Sequence, residues 1–588
     1  MVSIFYQKNN NKNLFKSLEE IVDFTKNQNY IPIYKNFFNI NNQNYNNINL
    51  NHKYSLDTIV SKENENIYKC KLRFNDDQKV TRKSFFKFSP LIDPLKYMTG
   101  KYKNITDEEC FLLPQLHDNK CMEKMTRVNN SAYVDSFFSY LSSQLLHNHG
   151  FIHGLDFYGS FIGIKNNYEL NIIDDLDFLN DSTYFHKNKD VKYNISKSSN
   201  INLFSESTRN YKEKIELCDD VKLKLDNTEE LKYDDLFTKE IKPLTEENLK
   251  EFNLKNNIVY EIDISKNNTE EQSNSSSSSS SCSSRSSKTT LSNDSEKDDD
   301  DVSLNSEYME ESSQEESSEE DSESSISSSD IKAKAKLKEF PVQLISMELM
   351  DNTLDELLEL EEEDELEDKH WISCFFQVII TLITYQKAFN FTHNDLHTNN
   401  IMYKNTDKKF IYYQYNSKYY KVPTYGRIYK IIDFGRSIYK YKGKTMMSDS
   451  FHPKGDAAGQ YNYDCYYNKE KPEIKPNDSF DLCRLGTSMF DFFVEDITEM
   501  DRNDLTPVEK MAVEWCYDDK GKNVLYKNNG SERYPDFKLY KMISRNVHNH
   551  DPKEVIKNSI FNRYHTSKKK IGKKTKIVNI DKIPSYIN

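Results

Sequence analysis

The sequence predicts an α+β fold in which strands dominate the first part of the chain and helices the last part. Residues 67–72 alternate apolar and charged side chains, and residues 84–88 form a mainly apolar run; both patterns are typical of strands. A helix is predicted after Asn130, a residue type that caps helices, because the apolar residues that follow have helical spacing. Residues 371–389 repeat apolar side chains at the spacing of a deeply packed helix.

Composition narrows the possible classes of protein. The chain has 588 residues, of which only 36% are hydrophobic, which favours one large folded unit with an embedded disordered insert. Its nine cysteines form no CxxC pair, which argues against a zinc site or a disulfide framework and favours a reducing compartment. No segment approaches about 18 consecutive apolar residues, and residues 1–8 lack the layout of a secretory signal, so we expect a soluble intracellular protein without a membrane partner. The net charge of −14 argues against general nucleic-acid binding.

Residues 165–335 have the most biased composition. Residues 275–281 are an unbroken serine run, residues 298–301 are an acidic run, and serine alternates with acids beyond them. Such a segment cannot bury enough apolar surface to offset an ordering cost of about 1–2 kcal/mol per residue, so we predict a disordered insert. Two roles stay open for it: a solvated spacer, or a multi-site phosphorylation tract that would gain further negative charge.

The strongest functional signal lies in two short motifs. Residues 393–401 read His-Asn-Asp-Leu-His-Thr-Asn-Asn-Ile, and residues 431–435 read Ile-Ile-Asp-Phe-Gly. They place Asp395 and Asn400 five residues apart on a loop, and Asp433 at the end of an apolar strand. Phosphoryl transfer from ATP requires this set, because one carboxylate must hold the acceptor hydroxyl while an amide and a second carboxylate hold Mg²⁺ against the triphosphate. We therefore expect ATP and Mg²⁺ as cofactors.

The order of these elements resembles the eukaryotic-type protein kinase superfamily. A strand with a lysine, a helix, further strands, a short connector, a packed helix, the first motif and the Asp-Phe-Gly strand follow one another as in that family. The resemblance covers residues 55–164 and 336–565, and the Leu-His pair and the long segment before Asp433 are similar to haspin-type kinases. The whole pattern resembles serine/threonine kinases of giant DNA viruses such as mimivirus. It implies a bilobal fold, with a small β-rich N-lobe and a larger helical C-lobe.

In the N-lobe, the resemblance implies which residues bind the nucleotide. Lys87 is similar to the strand lysine that binds the α- and β-phosphates of ATP. Met347 resembles the gatekeeper, and the backbone of Glu348 and Met350 resembles the hinge that meets the adenine edge. The partner of Lys87 stays open: Asp135 is the nearest acid on the following helix, but it also fits a plain helix-surface carboxylate.

In the C-lobe, the resemblance implies the catalytic residues. Asp395 resembles the catalytic base, and Asn400 and Asp433 resemble the two metal ligands. His397 stands where the family usually has a lysine, and two roles stay open for it: a weaker, pH-sensitive cation near the γ-phosphate, or a structural residue. Asp481 resembles the aspartate that braces the catalytic loop through backbone amides, a feature that small-molecule phosphotransferases generally lack.

The chain departs from the family pattern in three places. Asn394 replaces the arginine that normally contacts a phosphorylated activation segment, so we do not expect switching by that route. Residues 61–66 contain no glycine, and we expect poorer cradling of the phosphates by backbone amides there. Residues 410–422 predict an added hairpin around Asn416 and Ser417.

Composition and resemblance together divide the chain into six segments. They are an N-terminal extension (residues 1–54), the first part of the N-lobe (55–164), a disordered Ser/acid-rich insert (165–335), the last N-lobe strand and hinge (336–350), the C-lobe (351–566) and a basic tail (567–588). For the tail, a solvated segment, a nuclear-targeting or nucleic-acid patch, and a contact with the acidic insert all stay open.

The resulting hypothesis is a protein serine/threonine kinase that transfers the γ-phosphate of ATP to hydroxyls of protein substrates, with its own insert as one candidate substrate. Two alternatives stay open: a small-molecule phosphotransferase, and a catalytically weak pseudokinase scaffold. Nucleic acid is not expected as a partner except through the basic tail. A viral origin would imply a setting in the host cytoplasm or the virion.

Overall fold

The computed structural model describes residues 7–8, 11–74, 78–117, 120–197, 333–359 and 366–588. Their fold is mixed α+β, with a large antiparallel sheet, smaller sheets and helices, so the predicted α+β class is confirmed. Residues 198–332, which hold most of the predicted insert and its proposed phosphorylation tract, lie outside the described residues.

The large sheet is built mainly from the first part of the chain. Its hydrogen-bonded neighbours follow the order Phe24–Gln28, Phe157–Asn171, Ala333–Glu348, Gln78–Pro90, Ile67–Phe74 and Tyr54–Lys62, and Tyr193–Lys197 also pairs with Ala333–Glu348. Alternation along Ile67–Phe74 explains its one-sided burial, because Tyr68, Cys70 and Leu72 are buried while the lysines between them are exposed. The strands predicted at residues 67–72 and 84–88 are therefore confirmed, each inside a longer strand.

Helices occur in both parts of the described chain. The α-helices are Lys12–Val22, Pro94–Met98, Asp107–Cys110, Glu123–Thr126, Ser131–His149, Leu176–Asn180, Thr183–Asn188, Leu354–Leu358, Asp368–Phe389, Phe480–Phe493, Pro507–Trp515, Lys538–Asn546 and Pro552–Val555. The helix predicted after Asn130 is confirmed as Ser131–His149, and the Asn130 side chain accepts a hydrogen bond from the Ala132 amide as an N-cap.

Asp368–Phe389, which we call the core helix, confirms the packed helix predicted at residues 371–389. Among the described residues it is the helix long and apolar enough to span a membrane by length and composition, but its most apolar stretch is 94% buried inside the protein. Such burial is typical of the central helix of a soluble protein. Phe376 of this helix packs against Tyr413 and Tyr420, so the helix supports the added hairpin.

Smaller sheets position the two sequence motifs and the hairpin. One sheet joins Asn352–Thr353, Ile401–Asn405 and Arg427–Ile431; another joins His565–Thr566, Lys418–Pro423, Phe410–Tyr415 and Ile577–Asn579; Ile438–Tyr441 pairs with Lys444–Met447, and Gln7–Lys8 with Ile48–Asn49. Because Ile401 pairs with Ile431, the residues after Asn400 lie beside the strand that leads to Asp433. The predicted hairpin is confirmed, with Asn416 at positive φ in its turn.

The predicted N-terminal extension is an integral part of the large sheet. Lys12–Val22 packs on the Tyr54–Lys62 strand, and Phe24–Gln28 forms an edge of the sheet. The helix ends at Val22, and Phe24 belongs to the strand. Asp23 adopts the left-handed conformation that ends helices, which separates the two elements.

The predicted disordered insert was wrong at both of its ends. The ordered elements there are the end of Phe157–Asn171, the helices Leu176–Asn180 and Thr183–Asn188, the strand Tyr193–Lys197 and the start of Ala333–Glu348. Tyr168, Phe185 and Tyr193 are buried, and these aromatic rings anchor otherwise polar segments. The average composition of residues 165–335 is polar, so composition alone did not indicate that these few residues would be buried.

The predicted basic tail is packed on the fold rather than solvated. Ile577–Asn579 pairs in parallel with Phe410–Tyr415, and Ile580 and Ile583 are buried. Besides its lysines, the tail has an apolar residue at about every third position from residue 577 onward. Burial of these apolar side chains holds the tail against the fold.

We expect Tyr586→Ala to lower the free energy of unfolding by about 2–4 kcal/mol, because the ring is buried and stacks 5.5 Å from Phe389. The Tyr586 amide also donates to the Ala388 carbonyl at 2.8 Å, which the variant retains. Chemical denaturation measures the change, with the exposed Lys574→Ala as a control expected to stay within about 0.5 kcal/mol. Equal stability of the two variants would show that the tail is not docked.

Candidate functional site

A buried carboxylate holds the 393–401 loop in place. Asp481, in the first turn of Phe480–Phe493, accepts hydrogen bonds from the backbone N–H of His393 at 2.8 Å and of Asn394 at 2.9 Å. Burial raises the pKa of Asp481 to about 6, although these amide bonds and His393 oppose the increase. Asn394 has a φ of 66°, a costly conformation for a residue other than glycine, and the two bonds hold it. The brace predicted for Asp481 is confirmed.

The two sequence motifs are joined to each other by hydrogen bonds. The buried His393 side chain contacts the Ile432 carbonyl through Nε2 at 2.8 Å, and the Ile432 N–H donates to the Asn400 carbonyl at 3.0 Å. The Asn394 amide group donates to the Arg436 carbonyl at 3.0 Å. His393 therefore has a structural role, since its ring links the loop to the strand before Asp433.

Lys87 lies between two carboxylates. Its ammonium is 2.6 Å from Asp135 Oδ2 and 2.7 Å from Asp433 Oδ1, so the pairing with Asp135 that the sequence left open is formed. The other carboxylate oxygen of Asp135 accepts a hydrogen bond from the backbone N–H of Phe434 at 3.0 Å. Desolvation opposes the ionisation of Asp433, but the Lys87 charge outweighs it and holds the pKa of that carboxyl below its usual value. The structure thus brings Lys87 and Asp433 together, as the sequence predicted.

Asp395 is enclosed by groups that sequence reasoning missed. Its Oδ1 accepts a hydrogen bond from the Tyr540 hydroxyl at 2.7 Å, and its Oδ2 lies 3.3 Å from an Arg436 nitrogen. The Tyr540 hydroxyl accepts in turn from Arg484 Nε at 2.9 Å. Burial alone would raise the pKa of Asp395, but the neighbouring Arg436 charge holds it well below its usual range. Asp395 is therefore ionised at any physiological pH.

Asn400 and His397 form one unit beside Asp395. The Asn400 Nδ2 donates to the Asp395 carbonyl at 2.8 Å and lies 3.1 Å from His397 Nε2. With its amide nitrogen committed to the loop, Asn400 has its side-chain oxygen left as a ligand atom. Burial lowers the pKa of His397 to about 4. A ring that is neutral near pH 7 favours the structural role that the sequence left open for His397 over the role of a cation, because the loop encloses the ring.

The residues predicted to meet adenine lie at the end of the Ala333–Glu348 strand and just beyond it. Met347 pairs with Phe85 and is buried. The Glu348 carboxylate forms an ion pair with Lys430, whose Nζ lies 2.5 Å away. It also accepts a hydrogen bond from the backbone N–H of Asp156 at 2.8 Å. Within the described residues, no backbone hydrogen bond engages Met350, so its N–H and C=O can meet a ligand.

The turn between the Tyr54–Lys62 and Ile67–Phe74 strands uses its own amides. The N–H groups of Glu63 and Asn64 both donate to the Ile67 carbonyl, at 2.9 and 3.2 Å. The side-chain oxygen of Asn64 accepts the amides of Asn66 and Ile67 at 3.2 and 3.1 Å. These amides cannot donate to a phosphate in this conformation, because each already has a partner.

The side-chain oxygens of Asn400 and Asp433 are compatible with Mg²⁺ that is held jointly by the protein and by phosphates. No group of three or more His, Cys, Asp or Glu residues that could hold a metal by itself occurs in the part of the chain that the structure describes. Asp433 is 45% exposed, and Asn400 offers one oxygen. Mg²⁺ commonly takes one or two protein oxygen ligands and completes its octahedron with water and phosphate oxygens. Asn400 and Asp433 fit that requirement.

Comparison with known proteins gives limited but consistent information. No family model matches the chain. Over 85 residues the chain is 35% identical to a protein named "Probable kinase 098L" of Invertebrate iridescent virus 3. The matched stretch is 14% of this chain and 16% of that protein, so the chain spans about a sixth of its relative's length. This similarity supports a kinase-like relationship.

Two of the residues that sequence reasoning missed could not have been found from local pattern. Tyr540 is 145 residues from Asp395, and Arg484 is 56 residues from the Tyr540 to which it donates. Arg436 did have a signal, because it directly follows the Asp-Phe-Gly motif and is a permanent cation in a loop that otherwise lacks one.

We expect the imidazole of His397 to remain neutral from pH 8 down to about pH 5 in the folded protein. Its folded pKa of about 4 lies below the unfolded value of 6.5, so the stability it contributes is present above pH 6.5 and is lost as pH falls through 4. Histidine NMR, assigned with His397→Gln, measures the titration. A midpoint at or above 6.5 would contradict the buried, neutral ring.

Proposed function

We propose that this protein is an ATP-dependent kinase that phosphorylates Ser and Thr hydroxyls of protein substrates. The observation that carries the proposal is the position of the Lys87 ammonium, 2.6 Å from Asp135 and 2.7 Å from Asp433. A nucleotide-binding lysine must be fixed beside the metal-binding carboxylate for both to reach one triphosphate. The similarity to a protein named as a probable kinase agrees with this activity.

Each end of the nucleotide has candidate partners in the chain. Lys87 would bind the α- and β-phosphates, and the backbone of Glu348 and Met350, next to Met347, would meet the adenine edge. Mg²⁺, when bound, screens the charge of the phosphate oxygens. Asn400 and Asp433 would hold this ion. Because the turn amides already donate to the Ile67 carbonyl and the Asn64 side chain, these side chains would have to provide more of the phosphate binding.

Asp395 would receive the acceptor hydroxyl. Because its pKa is held well below the usual range, it is a strong hydrogen-bond acceptor but a weak base. It therefore orients the hydroxyl for attack and takes its proton late, and most of the rate gain comes from positioning and charge stabilisation. Arg436 and Tyr540 fix the carboxylate, and Arg436 supplies the positive charge that the neutral His397 does not.

The bilobal arrangement and the preference for protein substrates belong to this proposal. The large sheet followed by the core helix and the later helices has the element order of a protein kinase, and a closer relation to haspin-type kinases would fit the added hairpin. The Asp481 brace and the helices Pro507–Trp515 and Lys538–Asn546 favour a polypeptide substrate over a small molecule. Domain limits at residues 350 and 566 remain part of the proposal.

A pseudokinase scaffold is the second candidate. Two observations favour it: the turn at residues 63–66 uses its amides internally, and both carboxylate oxygens of Asp395 are engaged. An acceptor hydroxyl would then have to share or displace the contacts of Tyr540 or Arg436. Measured phosphate transfer decides between the two candidates.

We expect Asp433→Ala to reduce transfer of phosphate from radiolabelled ATP to a protein substrate by at least about 1,000-fold, because the metal-binding carboxylate is lost. The fold should persist, since Lys87 keeps its contact with Asp135. Asp407→Ala, at an exposed loop residue, is the matched control and should transfer phosphate at the wild-type rate.

A folded Asp433→Ala variant that transfers phosphate as fast as the wild type would overturn the metal assignment. No transfer by the wild type to a panel of proteins and small molecules, despite Mg²⁺-dependent ATP binding, would favour the scaffold.

A further inference from the structure

Residues 567–576, which we call the lysine crossover, carry a concentrated positive charge. The lysines are Lys568, Lys569, Lys570, Lys573, Lys574 and Lys576. All six are exposed, and none forms an ion pair with another residue in the described ranges. Residues 555–580 contain no Asp or Glu, so the charge is not neutralised from within the segment. Elsewhere, exposed lysines such as Lys79 and Lys557 do have carboxylate partners.

The lysine crossover is anchored at both ends. His565–Thr566 pairs with Lys418–Pro423 at one edge of the four-stranded sheet, and Ile577–Asn579 pairs in parallel with Phe410–Tyr415 at the other edge. The chain therefore crosses three strand spacings, roughly 14 Å. Ile571, in the middle of the crossover, is buried. The lysines are thus displayed on a fixed support.

The acid nearest to the lysine crossover in sequence is bonded to the adjoining hairpin turn. This acid is Asp581, whose two oxygens accept the backbone amides of Asn416 and Ser417 at 2.7 and 3.0 Å. That carboxylate is committed to the hairpin turn. Further cations flank the crossover, because Arg563 and Lys582 are also exposed.

We propose that the lysine crossover binds the phosphate backbone of a nucleic acid without sequence preference. Lysine is a compact, strongly hydrated point charge that contacts phosphates without a fixed paired geometry, which suits binding without sequence preference. The roughly 14 Å span matches several consecutive phosphates of a single strand. Binding would gain its free energy from counterion release and would depend steeply on salt. This site is independent of the kinase proposal, since none of its residues lies at the Lys87–Asp433 site.

The test uses the full chain and a fluorescein-labelled 20-nucleotide single strand, as DNA and as RNA, measured by fluorescence anisotropy from 50 to 300 mM NaCl. The crossover variant replaces all six lysines with glutamine. The matched control replaces six other exposed lysines, Lys101, Lys103, Lys187, Lys442, Lys520 and Lys527, with glutamine. Both variants lower the net charge equally, so only the location of the charge differs.

We expect the wild type and the control to bind within about twofold of each other, and the crossover variant to bind at least about 30-fold more weakly at 50 mM salt. The slope of log K against log salt should be about −3 for the wild type and become shallower by about 2 in the crossover variant. Circular dichroism and melting confirm folding. If the six-lysine variant does not fold, Lys568→Gln with Lys569→Gln and Lys570→Gln should give an intermediate loss.

Three results would overturn the proposal: no binding by the wild type at 50 mM salt, equal binding by the crossover variant, or an equal loss in the control. Polyglutamate that competes with the labelled strand as well as an unlabelled strand does would also overturn it, since the surface would then select acidic protein.

Discussion

The Lys87 ammonium, shared by Asp135 and Asp433, is the contact on which the arrangement of this protein depends. It joins the Gln78–Pro90 strand, the Ser131–His149 helix and the motif that follows the Arg427–Ile431 strand. Removing Lys87 would cost about 3–5 kcal/mol, because it would leave the buried Asp135 carboxylate without its cation. Three elements that are distant in sequence are therefore held where they can face one ligand, and the second oxygen of Asp135 secures the motif through the Phe434 amide.

The electrostatics of the 393–401 loop follow from burial and from the charge of Arg436. Burial would favour a neutral Asp395, but Arg436 keeps it ionised, and burial keeps His397 neutral. The loop itself is fixed by the Asp481 carboxylate, which accepts hydrogen bonds from two backbone amides of the loop. A fixed, ionised acceptor beside a permanent cation suits a reaction in which placement of the hydroxyl contributes more than removal of its proton.

Much of the site could be predicted because short motifs carry their own geometry. The spacing of Asp395 and Asn400 and the strand before Asp433 placed the loop and the motif, and the packed core helix could be found from its periodicity. The protonation of His397 could not be predicted, because it depends on how deeply the loop encloses the ring. Tyr540 could not be found either, since its contact with Asp395 arises only when distant helices pack. In the fold, average composition misjudged residues 165–197 and the tail, where a few buried aromatic and apolar residues outweigh many polar neighbours.

The most direct test of the account is the thermal melting of the wild-type protein with ATP, measured with and without Mg²⁺. If Lys87, Asn400 and Asp433 converge on one metal–nucleotide complex, ATP with Mg²⁺ should raise the melting temperature by several degrees, and ATP with a chelator should raise it by much less. An unchanged melting temperature at millimolar ATP and Mg²⁺, or an equal shift without the metal, would contradict the central claim.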